Sequence, residues 1–217
     1  MSKQIAALEL THISKQFSGT LALQDVNISV FAGEVHALLG ANGAGKSTLT
    51  KIIGGVYRPS NGAIFLSGES KQFTSPYDAQ QAGISVLYQE LNLLPELSIA
   101  ENVFLGNEPQ QSGWPVIDWK EMLNQTAELL ARIGMTIDPD MKVTSLSVAQ
   151  QQMIQVVKAL HHGARVIVMD EPTARLTDHE TRNIFRVIRT LKQQGAAVIF
   201  ISHRLEEIKQ ICDRVTI

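Results

Sequence analysis

The chain is poor in several things, and each shortage closes off a class of function. It has one cysteine, Cys212, so it can form neither an intrachain disulfide nor a multi-thiolate metal site. That leaves a reducing compartment and a buried or incidental thiol, with no thiolate zinc chemistry. Neither sign of charge is in excess: 19 Lys+Arg against 21 Asp+Glu give a formal charge of −2. A protein that gains its affinity by neutralising a phosphate backbone carries a basic surplus, so nucleic acid is not an expected partner. No apolar run approaches the roughly 20 residues that span a bilayer, and the stretch from Ala196 to Ile201 is only strand-sized. Met1-Ser2-Lys3-Gln4 lacks a signal-peptide core, and the expectation is a cytoplasmic chain. Aromatics are scarce at 6%, while 44% of the 217 residues are hydrophobic, enough for the core of one soluble domain.

Leu8 and Leu10, then Val26, Ile28 and Val30, alternate with polar neighbours, which predicts half-buried antiparallel strands joined by a loop that carries Phe17 and Gly19. From Glu34 to Leu39 nearly every residue is apolar, as in a strand covered on both faces, and a glycine-rich turn then leads into a helix with Leu49, Ile52 and Ile53 on one side. Arg58 to Gly62 reads as a turn, Ala63 to Leu66 as a strand, Ser75-Pro76 as a helix start and Ile84 to Leu87 as another strand. Between about 90 and 162 no strand is expected. Helix starts recur there, at Ser98 with Glu101, Asp118 with Glu121 and Ser147 with Gln150, each spaced as a capping box. The middle helix puts Met122, Thr126, Leu129, Leu130 and Ile133 on one face and stops at Gly134. His161 and His162 close the last of these helices and are expected at the surface, where a cationic ring suits the helix dipole. Strands return at Val166 to Met169 and Ala197 to Ile201, separated by a helix from Thr177 to Gln194 that turns Ile184, Val187, Ile188 and Leu191 inward. A final helix from near Ser202 is expected to bury Leu205, Ile208 and Ile211 before a short strand at Val215 to Ile217.

Two segments carry chemistry. Gly40-Ala41-Asn42-Gly43-Ala44-Gly45-Lys46-Ser47 fits the P-loop pattern and lies where that pattern must lie, after a buried strand and at the start of a helix. Its glycines let successive N–H groups point at one anion, the helix N-terminus adds positive potential, Lys46 reaches terminal phosphates and Ser47 can ligate magnesium. Asp170 and Glu171 directly follow the buried strand from Val166 to Met169, at the edge where open α/β sheets bind ligands. Asp170 is expected to hold magnesium, directly or through water. Glu171, one residue on, is placed to polarise the water that attacks a γ-phosphate.

With these in view the chain resembles the nucleotide-binding domain of an ATP-binding cassette (ABC) transporter over essentially its whole length. Besides the P-loop and the two acids it has Gln89 after the strand from Ile84 to Tyr88, a signature-like Leu146-Ser147-Val148-Ala149-Gln150, the loop Ala174-Arg175-Leu176-Thr177, and Ser202-His203. The implied fold is α/β: a P-loop NTPase core with a mostly parallel sheet, an N-terminal antiparallel β subdomain and an inserted α-helical subdomain, with 1–90 and 163–217 forming the core and 91–162 the insertion. The implied cofactors are ATP and Mg2+. The resemblance implies that residues 40–48, including Thr48, cradle phosphate, that Gln89 contacts magnesium and the attacking water and senses the membrane subunit, and that His203 touches the γ-phosphate. It also implies that Phe17 stacks on adenine; read alone, Phe17 is also open to a packing role at a strand end.

Ser147 caps a helix whose first amides form an anion site for the γ-phosphate of a second cassette, so that two half-sites close over two ATP molecules. Val148 and Ala149 stand where the family usually has glycines and keep their backbone donors, but their Cβ atoms restrict close approach and positive φ. Arg175 stands where a small residue is common. Both departures leave open a regulatory cassette of weak hydrolysis, and a soluble non-transport ATPase of the same family is a further alternative. Segments such as Leu87-Tyr88-Gln89-Glu90-Leu91 and Ser98-Ile99-Ala100-Glu101-Asn102 are most similar to importers of monosaccharides of the ribose, galactose, arabinose or xylose type. That implies a peripheral protein at the cytoplasmic face of the membrane, read as the N-terminal cassette of a longer tandem protein. Its partners would be a second cassette, membrane permease subunits and, indirectly, an extracytoplasmic sugar-binding protein. Leu91, Leu93, Leu94 and Leu97 are either a permease contact or subdomain core.

Overall fold

The computed structural model describes residues 4–41, 43–112 and 114–217. They divide into two compact units: Met1–Gln89, Ala164–Ala174 and Ile188–Ile217 form the first, and Glu90–Gly163 with Arg175–Val187 the second. Residues 175–187 therefore cluster with the helical unit, although they follow the strand that bears the two acids.

The first unit holds two sheets. β1 (Leu8–Phe17) and β2 (Thr20–Val30) form an antiparallel hairpin, extended by β4 (Asn61–Leu66) and β5 (Glu69–Lys71) in the order β2-β1-β4-β5. Phe17 is not in a loop, as expected from the sequence, but is the last residue of β1, where it pairs with Thr20 across a tight turn. The second sheet is wholly parallel, in the order β6-β7-β8-β3-β9, with β3 at Val35–Leu38, β6 at Ile84–Leu87, β7 at Val166–Asp170, β8 at Ala197–Ile201 and β9 at Arg214–Thr216. β3 and β8 are buried at every position, which is why they read as unbroken apolar runs rather than alternations.

α1 (Lys46–Ile53) is the keystone of this unit. Its Leu49, Ile52 and Ile53 share one core cluster with Leu8, Leu10, Ile13 and Ile64 of the antiparallel sheet and with Val166, Val168, Ile199 and Ile201 of the parallel one. The helix that opens at the glycine-rich turn is thus fixed by both sheets, and its N-terminus cannot drift without opening the core. α2 (Pro76–Gln81) starts at Ser75, whose hydroxyl accepts from the Asp78 N–H in a full capping box. α7 (Leu205–Ile211) buries Ile208 and Ile211, but Leu205 is 52% exposed, against expectation. The helix begins at Leu205 itself, so that side chain sits on the first turn with no preceding turn of helix to cover it.

The second unit is helical: α3 (Ile99–Phe104), α4 (Trp119–Arg132), a 3-10 turn at Val143–Ser145 and α5 (Val148–His161), with α6 (Asp178–Gln193) running from this unit into the first. Ser98 and Ser147 make complete capping boxes, while Asp118 accepts from the Glu121 N–H. α4 buries Met122, Thr126 and Leu130, Leu129 is half-buried, and Gly134 ends the turn at φ 76°. His161 and His162 depart from expectation. Both are half-buried, with the His161 ring 4.0 Å from that of Phe104, and burial holds both imidazoles below the usual histidine range. For His162 the neighbouring His161 and Lys158 charges push the same way, so neither ring supplies the cation expected at this helix end.

Candidate functional site

The parallel sheet brings its chemistry to one edge. Ile201, the last residue of β8, is level with Leu38 of β3 on one side and with Asp170 of β7 on the other, and Met169 is level with Leu87 of β6. Because all these strands run the same way, the residues just beyond them emerge together: Gly40 after β3, Gln89 after β6, Glu171 after β7, and Ser202 and His203 after β8. A cavity of about 430 Å³ opens there, lined by Gly43, Gly45, Lys46, Ser47, Thr48, Gln89, Asp170 and Glu171, and by Thr20, Leu21 and Ala22 of the hairpin.

Gly43 and Gly45 adopt φ of 84° and 89°, left-handed values that L side chains rarely take. At Gly45 a Cβ would also lie 2.5 Å from Leu23 Cδ2 and 2.7 Å from the Ala22 carbonyl oxygen. Gly45 is therefore closed to any larger residue on two independent grounds, and Gly43 by its backbone alone. The Lys46 ammonium donates to the carbonyl oxygens of Gly40 at 2.6 Å and Ala41 at 2.9 Å, folded back over its own loop. Gly40, Ala41 and Ala44 complete the turn, with the Ala44 N–H bonded to the Ala41 carbonyl; Asn42 lies outside the described residues.

Across the cavity, burial and the neighbouring Glu171 charge raise the Asp170 carboxyl above the usual carboxylate range, and Lys46 partly offsets them. Glu171 has φ 48°, an uncommon left-handed backbone for a side-chain-bearing residue, and its N–H is bonded to Ile201 O. Its Oε1 lies 3.2 Å from His203 Nδ1, which brings His203 to the same site although it does not line the cavity. Ser47, Gln89 and Asp170 offer hard oxygen donors around this cavity. Among the described residues no group of three or more His, Cys, Asp and Glu could hold a metal ion. A magnesium ion, which prefers few protein ligands plus phosphate oxygens and waters, matches such a donor set.

Phe17 lies beside this cavity rather than in it, next in the hairpin to Thr20, which lines it. Its ring is 37% exposed, meets Tyr57 edge-on at 5.2 Å and has the Lys15 ammonium 4.9 Å from its centre. Glu207 was not singled out from the sequence. It is buried, and its carboxylate accepts from the hydroxyls of Thr173 and Ser202, both at 2.7 Å. No local pattern announces it, since its partners lie 34 and 5 residues away.

In the helical unit, Ser147 is the N-cap of α5: its hydroxyl accepts from the Gln150 N–H, and Gln150 Oε1 accepts from the Ser147 N–H. Val148 and Ala149 are the first two helical residues and neither has a positive φ, so the backbone here makes no demand for glycine. What remains of that departure is side-chain bulk, with Val148 44% exposed. Arg175 is exposed. Of the four leucines after Gln89, Leu94 is exposed and Leu91, Leu93 and Leu97 are half-buried. Cys212 is a free thiol that burial, with Asp213 and Glu207 nearby, pushes up to about 12, consistent with an inert role.

A parallel sheet whose first P-loop helix is locked between two sheets, with an acidic pair facing that loop, defines a P-loop nucleotide-binding domain. The particular branch follows from comparison: residues 23–174 match the ABC transporter family, and the chain belongs to it. It is 53% identical over 209 residues to the ribose import ATP-binding protein RbsA 2 of Streptomyces avermitilis, covering 96% of this chain and 41% of that protein. To a Burkholderia cenocepacia protein named for ribose, galactose and methyl galactoside import it is 51% identical over 210 residues, 97% of this chain and 40% of the relative. The chain thus spans about two fifths of the length of these relatives. Among solved structures it superposes on a nucleotide-free ATP-binding cassette of an ABC transporter with TM-score 0.85 at 28% identity, over 97% of this chain and 87% of that one. A cassette in its ADP conformation fits equally well, with TM-score 0.85 at 26% identity, over 98% and 87% of the two chains.

Proposed function

We propose that this chain binds and hydrolyses ATP, and that closure of paired cassettes over the nucleotide energises import of a monosaccharide through an ABC transporter. The observation that carries the reading is the convergence of Gly43, Gly45, Lys46, Ser47, Thr48, Gln89, Asp170 and Glu171 on one cavity. The amides and the α1 N-terminus grip the phosphates, and Lys46 exchanges its loop carbonyls for phosphate oxygens as they arrive. Ser47, Asp170 and Gln89 would hold Mg2+, which when bound offsets phosphate charge. Glu171 accepts a proton from the attacking water, and His203, in contact with Glu171, orients that carboxylate and meets the γ-phosphate. Phe17 offers the nucleobase an aromatic face beside the phosphate cavity. Residues 147–150 of a second cassette supply amides to the same γ-phosphate, because a capped helix start is a ready anion site. The sugar cargo, the permease and binding-protein partners and the station at the cytoplasmic face of the membrane are proposed from the names of the relatives. No helix among the described residues is long and apolar enough to cross a bilayer, so the permease would supply the passage.

A second reading, a cassette that binds ATP and closes but turns over slowly, is favoured by the exposed Val148 side chain and by Arg175. Glu171→Gln separates the two. Full hydrolysis predicts that phosphate release at saturating Mg-ATP falls by about a hundredfold or more while ATP still binds. A native turnover already as low as that of the variant would establish the slow cassette instead.

A further inference from the structure

Two strands deliver the groups assigned to hydrolysis, and a third element joins them. Thr173 lies two residues beyond Glu171 in the loop after β7, and Ser202 lies one residue before His203 in the loop after β8. Both hydroxyls donate to a single oxygen, Glu207 Oε2, at 2.7 Å each. The other oxygen, Oε1, accepts from the Arg204 guanidinium at 3.2 Å, and the Arg204 N–H in turn donates to Ser202 Oγ at 3.1 Å. Thr173, Ser202 and Glu207 are all buried, at 2%, 3% and 6% exposure, so a carboxylate has been taken out of water to sit between two loops. Such burial is costly unless the charge is fully satisfied, and here every bond that satisfies it comes from the catalytic edge of the sheet.

We propose that Glu207 is a positioning residue for hydrolysis, a buried clamp that fixes the loop bearing Glu171 against the loop bearing His203. This rests on the roles assigned above to Glu171 and His203. The contact between those two is 3.2 Å long, and Glu171 is held in a left-handed backbone conformation that relaxes if the loop beyond it is freed. The Glu171 N–H to Ile201 O bond anchors the loop on its strand side, and Thr173 to Glu207 anchors it on the far side. With both ends held, the Glu171 carboxylate keeps the position from which it can meet a water in line with the γ-phosphate. The Lys46 loop and Gly45 lie outside this clamp, so nucleotide grip and hydrolytic geometry are held by separate sets of bonds.

The test uses the intact protein and reads turnover and binding separately. Glu207→Ala should lower kcat about ten- to a hundredfold, since displacing a reacting group by a fraction of an ångström costs on that order. KM for ATP and affinity for inorganic tripolyphosphate, which engages only the phosphate grip, should stay within about twofold. Glu207→Gln keeps an oxygen that both hydroxyls can reach and should recover much of the lost rate; Thr173→Val, nearly isosteric, removes one anchor alone and should show a smaller loss of the same kind. In a Glu171→Gln background, Glu207→Ala should add little further loss, because it acts through the residue already removed. Native turnover in both Glu207→Ala and Thr173→Val would overturn the proposal, as would a loss of tripolyphosphate affinity that matches the loss of rate. Failure of the native protein to bind tripolyphosphate or to hydrolyse ATP would instead strike the proposed function.

Discussion

The cavity at the sheet edge and the start of α5 are both proposed to receive phosphate, yet they are finished to different degrees. At the sheet edge three strands and a helix deliver a glycine-rich turn, an ammonium, an amide oxygen and two carboxylates to one space, and the ammonium and the Glu171 carboxylate already have partners. The start of α5 offers a helix N-terminus whose capping box is complete and whose first residue, Val148, presents an apolar side chain outward. On the proposed reading the first region holds the groups for reaction in itself, and the second is a half-site that acts on a partner's nucleotide. The grip on the nucleotide can then be tested on one chain, whereas turnover would depend on a second surface.

Ser147→Arg should break the comparison most sharply. A bulky cation at the helix start is expected to block closure and cut turnover by about a hundredfold or more, while ATP affinity of the single chain stays within about twofold. Analytical ultracentrifugation of an ATP-bound Glu171→Gln protein with and without this change would show the dimer lost; an unaffected dimer would refute the half-site. A smaller effect separates stability from function within the first region. Because burial and Glu171 raise the Asp170 pKa in the folded state, the native state binds more protons than the unfolded chain between the ordinary aspartate value and the raised one. Stability should therefore fall as pH rises through that window, and the cost is fully present above the raised value. Asp170→Asn should raise the nucleotide-free melting temperature at pH 7 by about 1–3 °C and flatten its pH dependence in that window, while abolishing magnesium-dependent ATP affinity. A lower melting temperature would show that Asp170 is not under charge stress.

The two regions also differ in how much of them can be read from the sequence. Gly40 to Thr48 and Asp170-Glu171 are consecutive residues after apolar runs, so spacing alone places them on strand ends, and the parallel sheet then brings them together. Ser147 with Gln150 is local in the same way. What stayed hidden depends on distant neighbours. β5 has no apolar residue to betray a strand and exists because it pairs with β4. His161 is half-buried with Phe104, more than fifty positions earlier, packed against its ring, and His162 stacks edge-on against His161. Leu205 fits the spacing of Ile208 and Ile211 but falls on the opening residue of its helix, where periodicity no longer implies cover. The Glu207 clamp joins three segments that no motif links. Phe17 is the intermediate case: its place beside the cavity follows from the hairpin, while the Tyr57 and Lys15 contacts around its ring come from pairings the sequence does not display.

The central claim is that phosphates are gripped by the α1 turn, and calorimetric titration of Mg-ATP into the protein and its Lys46→Ala variant tests it most directly. One saturable site per chain is expected in the native protein, with affinity lowered about ten- to a hundredfold in the variant, the loss of a charge-assisted contact to phosphate. Equal affinity in both proteins, or no heat of binding in the native one, would contradict it.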